Sequence, residues 1–315
     1  MEIQFLGTSS GAPTSHRNVS AIALTESRGK AWYLIDCGEG TQHQLLRSHL
    51  TLNSLEAVFL THLHGDHCYG LPGLLGSAGL TGRTKPLKII APAGAEEWIA
   101  LTKEISQLHL PYALEFKQTG TEELGVVGQY EVSAVKLSHR THCFGYVFTE
   151  KDVPISLKTE KLQIAGISQG PLWGKLQAGE NVMHAGKQYL ASEYTEESKQ
   201  PRKIIICGDN DNPELLLSDC ADCSLLIHES TYTEDMADRA KEVGHSYAKS
   251  IGSFAEKVKV PNLVLTHISA RYPDNSAVES EASEVYSGNL YVANDFDRFK
   301  LAANSILELV ASSDV

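Results

Sequence analysis

A histidine-rich turn directly after an apolar segment constrains this chain more than any other part of its sequence. Residues 57–60 (AVFL) predict the end of a buried strand, and THLHGDH follows at residues 61–67. Side chains alternate along an extended chain, so His62 and His64 point to the same side. The next glycine permits a sharp turn, which returns an aspartate and a third histidine toward them. We therefore predict that these side chains face a common point.

The residue types in this turn favour a metal site. Three imidazoles and one carboxylate suit zinc or a similar borderline metal, and the absence of a thiolate argues against an iron–sulfur centre. The alternative is a polar turn whose histidines cap a helix that begins near Asp66. We favour the metal site, and its first candidate ligands are His62, His64, Asp66 and His67.

Three later apolar segments repeat the same design. Each predicts a buried strand that ends in an acid or an imidazole: 203–207 before Asp209, 225–227 before His228 and Glu229, and 263–265 before His267. In layered α/β proteins the carboxyl ends of strands share one edge, where ligands bind. A single aspartate after a strand is usually a cap or turn residue, but the repetition favours Asp209 and His267 as further ligands.

Two other strand ends leave alternatives open. The strand predicted at 132–137 ends in Ser138-His139, and His142 follows three residues later. Either histidine could complete a metal shell, and His139 has the better position because it lies at the strand end. Asp36 follows the strand predicted at 31–35. It could orient a metal ligand by a hydrogen bond or cap the helix predicted to start near Thr41.

Length and composition limit the class of protein. A chain of 315 residues with 42% hydrophobic residues has room for one large domain or two ordinary ones. Its net charge of −12 argues against broad adhesion to nucleic acid, without excluding a local basic track. No apolar stretch approaches the roughly 20 residues of a membrane helix, the start lacks a basic leader, and the cysteines are scattered as in a reduced protein. We expect a cytoplasmic protein without membrane contact.

Residues 151–200 differ in kind from the rest of the chain. They are polar and mixed, carry Gly170-Pro171, and show few sustained apolar patterns. An excursion of this length within a compact domain is usually an arm or a functional insertion.

The ordered motifs together resemble the metallo-β-lactamase fold and, within it, the ribonuclease Z family of tRNA 3′-processing endonucleases. The histidine cluster alone indicates only the superfamily, whereas the later motifs and the Gly-Pro arm narrow the resemblance over residues 1–300. The motifs are Asp36-Cys-Gly-Glu-Gly-Thr-Gln, His62-Leu-His-Gly-Asp-His67, Ser138-His139, Gly208-Asp209, His228-Glu229-Ser-Thr, Gly244-His245-Ser246, Thr266-His267-Ile-Ser-Ala-Arg271-Tyr272 and Asn294-Asp295-Phe296.

The resemblance implies a fold, a cofactor and a substrate. The fold would be α/β: a metallo-β-lactamase αββα sandwich, formed as a single domain over residues 1–315. A flexible arm inserted at 151–200 would be the candidate RNA exosite. Similar proteins are homodimers that cleave the 3′ trailer from precursor tRNA. They hold two zinc ions per subunit, and Mn²⁺ or Fe²⁺ could replace zinc.

The resemblance also implies a role for each site residue. One ion would be held by His62, His64 and His139, the other by Asp66, His67 and His267, with Asp209 bridging the two. Asp66 would orient the attacking hydroxide, and His245, positioned by Glu229, would act beside the leaving oxygen. The implied substrate-binding residues are Arg17, Asn18, Gly170, Pro171 and Arg271.

Several positions depart from the family pattern. Ser15 stands where a lysine is common, which weakens an expected contact to the RNA end. Asn210, Ser230 and Tyr247 replace the usual threonine, alanine and threonine, and twenty residues follow Asp295. The first rival hypothesis is a hydrolase of small phosphodiesters or esters, which the acidic balance and Ser15 favour. The second is a non-catalytic RNA-binding relative, which the complete ligand set disfavours.

Overall fold

The structure is a computed structural model that describes residues 1–26, 29–121, 123–151, 156–195 and 200–311. The chain divides into two compact units. The first comprises Met1–Thr149 and Lys203–Val315, and the second is Glu150–Arg202. The segment 151–200 singled out from the sequence falls in the second unit, and its residues 152–155 and 196–199 lie outside the described residues.

The helices and strands are numbered here in chain order. The strands are β1 (Glu2–Gly7), β2 (Ser9–Ser10), β3 (Ala21–Thr25), β4 (Trp32–Ile35), β5 (Leu55–Phe59), β6 (Leu87–Ala91), β7 (Leu114–Gln118), β8 (Gly125–Val127), β9 (Tyr130–Leu137), β10 (Cys143–Glu150), β11 (Val182–His184), β12 (Lys187–Tyr189), β13 (Lys203–Cys207), β14 (Leu225–Glu229), β15 (Asn262–Thr266), β16 (Ile268–Ser269), β17 (Asn289–Val292), β18 (Arg298–Leu301) and β19 (Leu307–Ala311). The α-helices are α1 (Thr41–Leu46), α2 (Gly65–Cys68), α3 (Leu71–Leu80), α4 (Ala95–Ser106), α5 (Thr159–Ile164), α6 (Pro171–Gln177), α7 (Ala191–Tyr194), α8 (Ala237–Val243), α9 (Ala248–Val258) and α10 (Ser276–Ser283).

Two mixed sheets form the first unit. One has the strand order β19-β18-β1-β3-β4-β5-β6-β7, and the other has the order β17-β15-β14-β13-β10-β9-β8. The strands β13, β14 and β15 pair in parallel, so their carboxyl ends lie side by side. Their side chains are almost all buried, which explains why these segments are continuously apolar in sequence and do not alternate.

Three apolar cores show that the first unit has four layers. The first core lies between the two sheets and contains the edge-to-face rings of Phe59, Tyr146 and Phe148. The second packs the outer face of the first sheet against α1, α3 and α4. The third packs the other sheet against α9 and α10. The helix–sheet–sheet–helix order confirms the αββα sandwich predicted from the sequence.

One helical segment breaks at a place that its sequence does not indicate. Residues 68–80 are rich in glycine and leucine and predict a helix interrupted at Pro72, but the chain breaks earlier, between α2 and α3. The amide of Gly70 donates to the carbonyl oxygen of Cys37 (2.9 Å) and so leaves the helical pattern. Pro72 lies in the first turn of α3, where a helix does not need its missing N–H.

The residues after Asp295 extend the first sheet. Strand β18 pairs antiparallel with β1, and β19 pairs antiparallel with β18. Phe299 is buried against Phe5, with ring centroids 5.8 Å apart. The chain beyond the last motif therefore contributes two strands and part of the inter-sheet core as far as Ala311.

The second unit has a small core of its own. It contains α5, α6, α7 and the antiparallel pair β11–β12. The core residues are Leu162, Ile167, Leu176, Val182, Tyr189, Ala191 and Tyr194. At the two ends of this unit, the guanidinium of Arg202 donates to both carboxylate oxygens of Glu150, and both side chains are largely buried.

In the described part of the chain, none of the helices combines the length and the apolar character that a membrane span requires.

Candidate metal centre

Four strand ends of the first unit deliver the candidate ligands. His62 and His64 follow β5, His139 follows β9, Asp209 follows β13 and His267 follows β15. The short helix α2 carries the remaining two, Asp66 and His67. The structure brings all seven together in two groups that share one residue.

The first group consists of three imidazoles and one carboxylate oxygen. His64 Nδ1 lies 3.1 Å from both His62 Nε2 and His139 Nε2. These two nitrogens lie 3.6 and 3.7 Å from Oδ2 of Asp209. Ligand atoms held about 2.0–2.1 Å from a tetrahedral zinc ion are about 3.3 Å apart, so these spacings suit four ligands around one cation.

The second group uses the other oxygen of the same aspartate. Nε2 of His67 and Nε2 of His267 are 3.1 Å apart, and each lies 3.5 Å from Asp209 Oδ1. Oδ2 of Asp66 completes the group at 3.5 and 3.3 Å from these nitrogens. Asp209 therefore turns one carboxylate oxygen toward each group.

Asp209 supplies a direct test of whether a cation fits here. Its side chain is 3% exposed, yet Oδ1 has no hydrogen-bond donor among the described residues. A buried carboxylate oxygen without a partner is costly, and buried charges are normally paired or bound to metal. The unpartnered oxygen, which faces two imidazoles, fits a bound cation.

Two histidines donate their Nδ1 proton to groups that can only accept. Nδ1 of His67 lies 2.7 Å from Oδ2 of Asp36, and Nδ1 of His139 lies 2.7 Å from the carbonyl oxygen of Gly244. Because Nδ1 donates in both rings, each Nε2 faces the centre as the atom that can bind a cation.

Two threonines set the rings of His62 and His267 in the same way. The Thr61 hydroxyl donates to Asp36 (2.9 Å), so its oxygen accepts from His62 Nδ1 (3.0 Å). The Thr231 hydroxyl donates to Glu229 (2.8 Å) and accepts from His267 Nδ1 (3.0 Å). The sequence analysis assigned no role to either threonine. The signal that could have indicated one is their position beside residues at the ends of strands.

Asp36 orients a ligand and does not cap a helix. Besides His67, its carboxylate accepts from the backbone N–H of Thr61 (2.8 Å). Helix α1 has no side-chain hydrogen bond at its N-cap, which is Gly40. Asp36 and His267 both have a positive φ of 59°, a conformation that is uncommon for non-glycine residues but more frequent for aspartate and histidine.

The two groups differ in their electrostatics. In the first, burial lowers the pKa of His62, His64 and His139, so these rings are neutral and able to bind metal. In the second, burial opposes the charging of His67, but Asp209, Asp36 and Asp66 outweigh it and raise its pKa to about 10. The second group thus attracts positive charge, as a cation site must.

His245 lies beside both groups. Its Nδ1 is 3.5 Å from Glu229 Oε1 and 3.7 Å from Asp209 Oδ2, and its ring stacks on that of His267 with centroids 5.3 Å apart. Glu229 is held by the backbone N–H groups of Ser246 (2.6 Å) and Thr231 (2.9 Å). Burial disfavours the charged ring, but the two carboxylates outweigh it and raise the pKa of His245 to about 9. This imidazole is therefore suited to donate a proton.

The predicted substrate-binding residues occupy three places. The guanidinium of Arg17 and the side chain of Asn18 hydrogen-bond within the first unit. Arg271 is exposed, and its guanidinium lies 5.2 Å from the ring centroid of Tyr232. The remaining two, Gly170 and Pro171, lie at the start of α6 in the second unit. These five roles stay predictions.

Two positions singled out from the sequence have clear places. His142, the alternative to His139, is exposed and belongs to neither ligand group. Asn210 is fully buried; its Oδ1 accepts from the Ser138 amide (3.1 Å), and its Nδ2 donates to His228 (3.0 Å). The side chain of Asn210, which replaces the usual threonine, therefore connects the loop that carries Asp209 to the loop that carries His139.

Gly208 allows Asp209 to approach the other ligands. A Cβ atom at this position would lie 2.6 Å from both Thr61 Cβ and Cys143 Sγ. We expect Gly208→Ala to destabilise the protein by about 1–3 kcal/mol through overpacking and to lower the Tm by several degrees. Calorimetry tests this, with Gly174→Ala as the control because nothing lies within 4 Å of that position. Equal Tm values for Gly208→Ala and the wild type would contradict the close fit.

Comparisons with known proteins identify the fold and the family. The family model described as anti-Pycsar protein Apyc1 matches residues 1–153. A metallo-β-lactamase fold protein from Bacillus subtilis covers 94% of this chain and 98% of its own, with a TM-score of 0.67 and 17% identity, so the fold is that of the metallo-β-lactamases. The short form of human tRNase Z has a TM-score of 0.69 and 28% identity, covering 96% of this chain and 100% of its own. Ribonuclease Z of Pseudomonas putida (strain GB-1) is 46% identical to this chain, in an alignment that covers 98% of this chain and 100% of that protein. The chain belongs to the ribonuclease Z family.

Proposed function

We propose that this chain is a metal-dependent endoribonuclease that removes the 3′ trailer from precursor tRNA. The reaction is the attack of a water-derived hydroxide on a phosphodiester. One observation carries the proposal. In a chain 46% identical to a ribonuclease Z, seven ligands form two groups that share the carboxylate of Asp209.

The proposed cofactor is two zinc ions per subunit, and Mn²⁺ or Fe²⁺ would suit the same ligands. His62, His64 and His139 would hold one ion, and Asp66, His67 and His267 the other, with Asp209 between them. When bound, such a pair supplies a nucleophile at neutral pH and neutralises phosphoryl charge.

The chain's own residues orient the reactants and move the protons. The amide of Gly11 donates to Oδ2 of Asp66 (2.8 Å), which fixes the carboxylate that accepts a proton from the attacking water. His245 donates a proton to the leaving oxygen. Glu229 holds this imidazole in place and stabilises its charged form.

We further propose that the second unit is an RNA exosite and that the enzyme is a homodimer. Its ribonuclease Z relatives in Pseudomonas putida and Marinobacter nauticus are bacterial, which supports a cytoplasmic location. The support for the exosite is that this insertion folds as a compact unit with a core of its own. For the dimer, the support is three apolar side chains on adjacent helices of the first unit that are 83%, 93% and 75% exposed. They are Leu46, Leu80 and Ile105.

The central experiment uses end-labelled precursor tRNA and the purified protein. We expect one cut at the start of the trailer, its loss with a chelator, and its recovery when zinc is added back. A small aryl phosphodiester is assayed in parallel. Cleavage of the aryl substrate without any cleavage of precursor tRNA would overturn the proposal in favour of a small-molecule hydrolase.

Removing the second unit tests its role as exosite. Thr149 and Lys203 are paired on neighbouring strands, so residues 150–202 can be replaced by an Asn-Gly turn that closes a hairpin. We expect the KM for precursor tRNA to rise about 10²-fold because one of two binding regions is lost. Hydrolysis of the aryl phosphodiester serves as the control and should not change. If the shortened protein cleaves precursor tRNA with an unchanged KM, the second unit is not an exosite.

A further inference from the structure

A cavity in the first unit lies beside the loop at residues 14–18. Its volume is about 380 Å³, and its lining includes Ser15, Arg17, Arg47 and Phe296. The same loop region also reaches the metal centre, since the amide of Gly11 donates to Asp66. A ligand in this cavity would thus lie on the loop that helps to fix the proposed proton acceptor.

Arg17 lines this cavity, but the N–H groups of its guanidinium already donate to acceptors within the protein. One terminal nitrogen of its guanidinium donates to the Thr8 hydroxyl (2.6 Å) and the Ala293 carbonyl (2.8 Å). The other donates to Oδ1 of Asn275 (2.5 Å) and Oδ1 of Asn294 (2.9 Å). These four bonds leave little of its donor capacity for a substrate phosphate.

The carboxylate that lines the cavity, Asp295, also has hydrogen-bond partners within the protein. Asp295 Oδ1 accepts from the Thr8 hydroxyl (2.7 Å), and Oδ2 accepts from the Asn18 amide (2.6 Å) and Gln44 Nε2 (2.8 Å). Its lone pairs are therefore directed into the protein. In the described part of the structure, Asp295 forms no ion pair with the second arginine of the cavity, Arg47.

Arg47 has a different environment. It is exposed at the end of α1, and its guanidinium carbon lies 4.0 Å above the ring centroid of Phe296. Within the described residues its side chain has no hydrogen-bond or ion-pair partner. Stacking uses the face of a guanidinium and leaves the N–H edge free, so Phe296 holds a donor edge that has no acceptor in the protein.

We propose that Arg47, held by Phe296, binds a backbone phosphate of the single-stranded RNA next to the cleaved bond. The inference rests on the proposed function and adds a specificity residue to it. Arg47 supplies the cation that this cavity lacks at position 15, where the chain has serine. In a protein with a net charge of −12, one placed arginine contributes strongly to phosphate binding, because a charge-assisted bidentate contact is among the strongest hydrogen bonds.

The test compares Arg47→Ala with the wild type on two substrates. With precursor tRNA we expect the KM to rise about tenfold with kcat unchanged, and the salt dependence of binding to fall by about one phosphate contact. The aryl phosphodiester, which has no neighbouring phosphate, should be hydrolysed at the wild-type rate. Arg47→Lys keeps the charge and should recover part of the KM. Phe296→Leu, which removes the stacking partner alone, should raise the KM by a smaller factor.

Lys300→Ala is the matched control, because it removes an exposed cation outside this cavity and should not alter the KM. A KM and a salt dependence of Arg47→Ala that equal those of the wild type would overturn the inference and leave the proposed function intact. Equal losses of kcat on both substrates would also overturn it, since Arg47 would then act on the metal centre. If the wild-type protein itself fails to cleave precursor tRNA, both the proposed function and this inference fall.

Discussion

Replacing Asp209 by asparagine is expected to lower kcat/KM for precursor tRNA by about 10³-fold or more, because several kcal/mol of charge stabilisation depend on the paired ions. The amide has nearly the same shape, but it carries no charge and only one oxygen. It therefore cannot serve both ligand groups, as the two oxygens of Asp209 do at 3.5–3.7 Å from the imidazoles. Kinetics on precursor tRNA and metal analysis of the purified protein measure the two consequences.

Thermal unfolding separates loss of metal from loss of fold. A ligand at one hundred times its Kd stabilises the folded state by about 2.7 kcal/mol, so zinc should raise the Tm of the wild type. In Asp209→Asn most of this increase should disappear, whereas the metal-free Tm should change little. Asp222→Asn is the control, since Asp222 is exposed and asparagine tolerates its positive φ of 57°. An Asp209→Asn protein with two bound ions and activity within tenfold of the wild type would contradict the bridging role.

The convergence of the ligands could be predicted from the sequence because each follows a buried strand. Parallel strands of one sheet deliver their ends to one edge, so the apolar runs before Asp209 and His267 already indicated that these two residues meet, and the same design placed His62 at the end of a strand as well. The same rule preferred His139 to His142, and the structure brings only His139 into a ligand group. The pattern predicted that each side chain lies at the edge of a sheet, but it did not predict the hydrogen bonds of that side chain.

The contacts that orient these ligands could not be predicted. His139 donates to a carbonyl oxygen 105 residues away, at Gly244, and a backbone carbonyl has no signature in the sequence. The role of Thr231 depends on the approach of two strands, because it lies between Glu229 and His267. A motif likewise cannot show the internal hydrogen bonds of an arginine, and the guanidinium of Arg17 donates to the Thr8 hydroxyl and the Ala293 carbonyl.

The core of the second unit escaped prediction for a different reason. Periodic apolar patterns become visible over windows of about 11–18 residues, and the helices α5, α6 and α7 have only six, seven and four residues. Leu162, Leu176 and Tyr194 come from α5, α6 and α7 respectively, so their shared burial is a tertiary effect. The polar composition of residues 151–200 therefore did not indicate that this segment folds as a unit.

The second large effect is expected at His245, where the nature of the leaving group decides the outcome. We expect His245→Ala to reduce kcat for precursor tRNA by about 10³-fold, within the range for the loss of a general acid. An aryl oxide leaves readily without a proton, so the loss with a p-nitrophenyl phosphodiester should be about tenfold or less. The bound metal should remain, because the seven proposed ligands are unchanged.

His142→Ala is the matched control for this comparison, because the same strand, β9, precedes both His139 and the exposed His142. It should retain wild-type kcat on both substrates. Equal losses on the two substrates would exclude proton donation by His245. A loss of one metal ion would instead make His245 a ligand, an arrangement that its proximity to Asp209 and His267 allows in space. The dependence on the leaving group decides between the two roles, because a missing ligand slows both substrates, whereas a missing proton slows only the substrate whose leaving oxygen needs it.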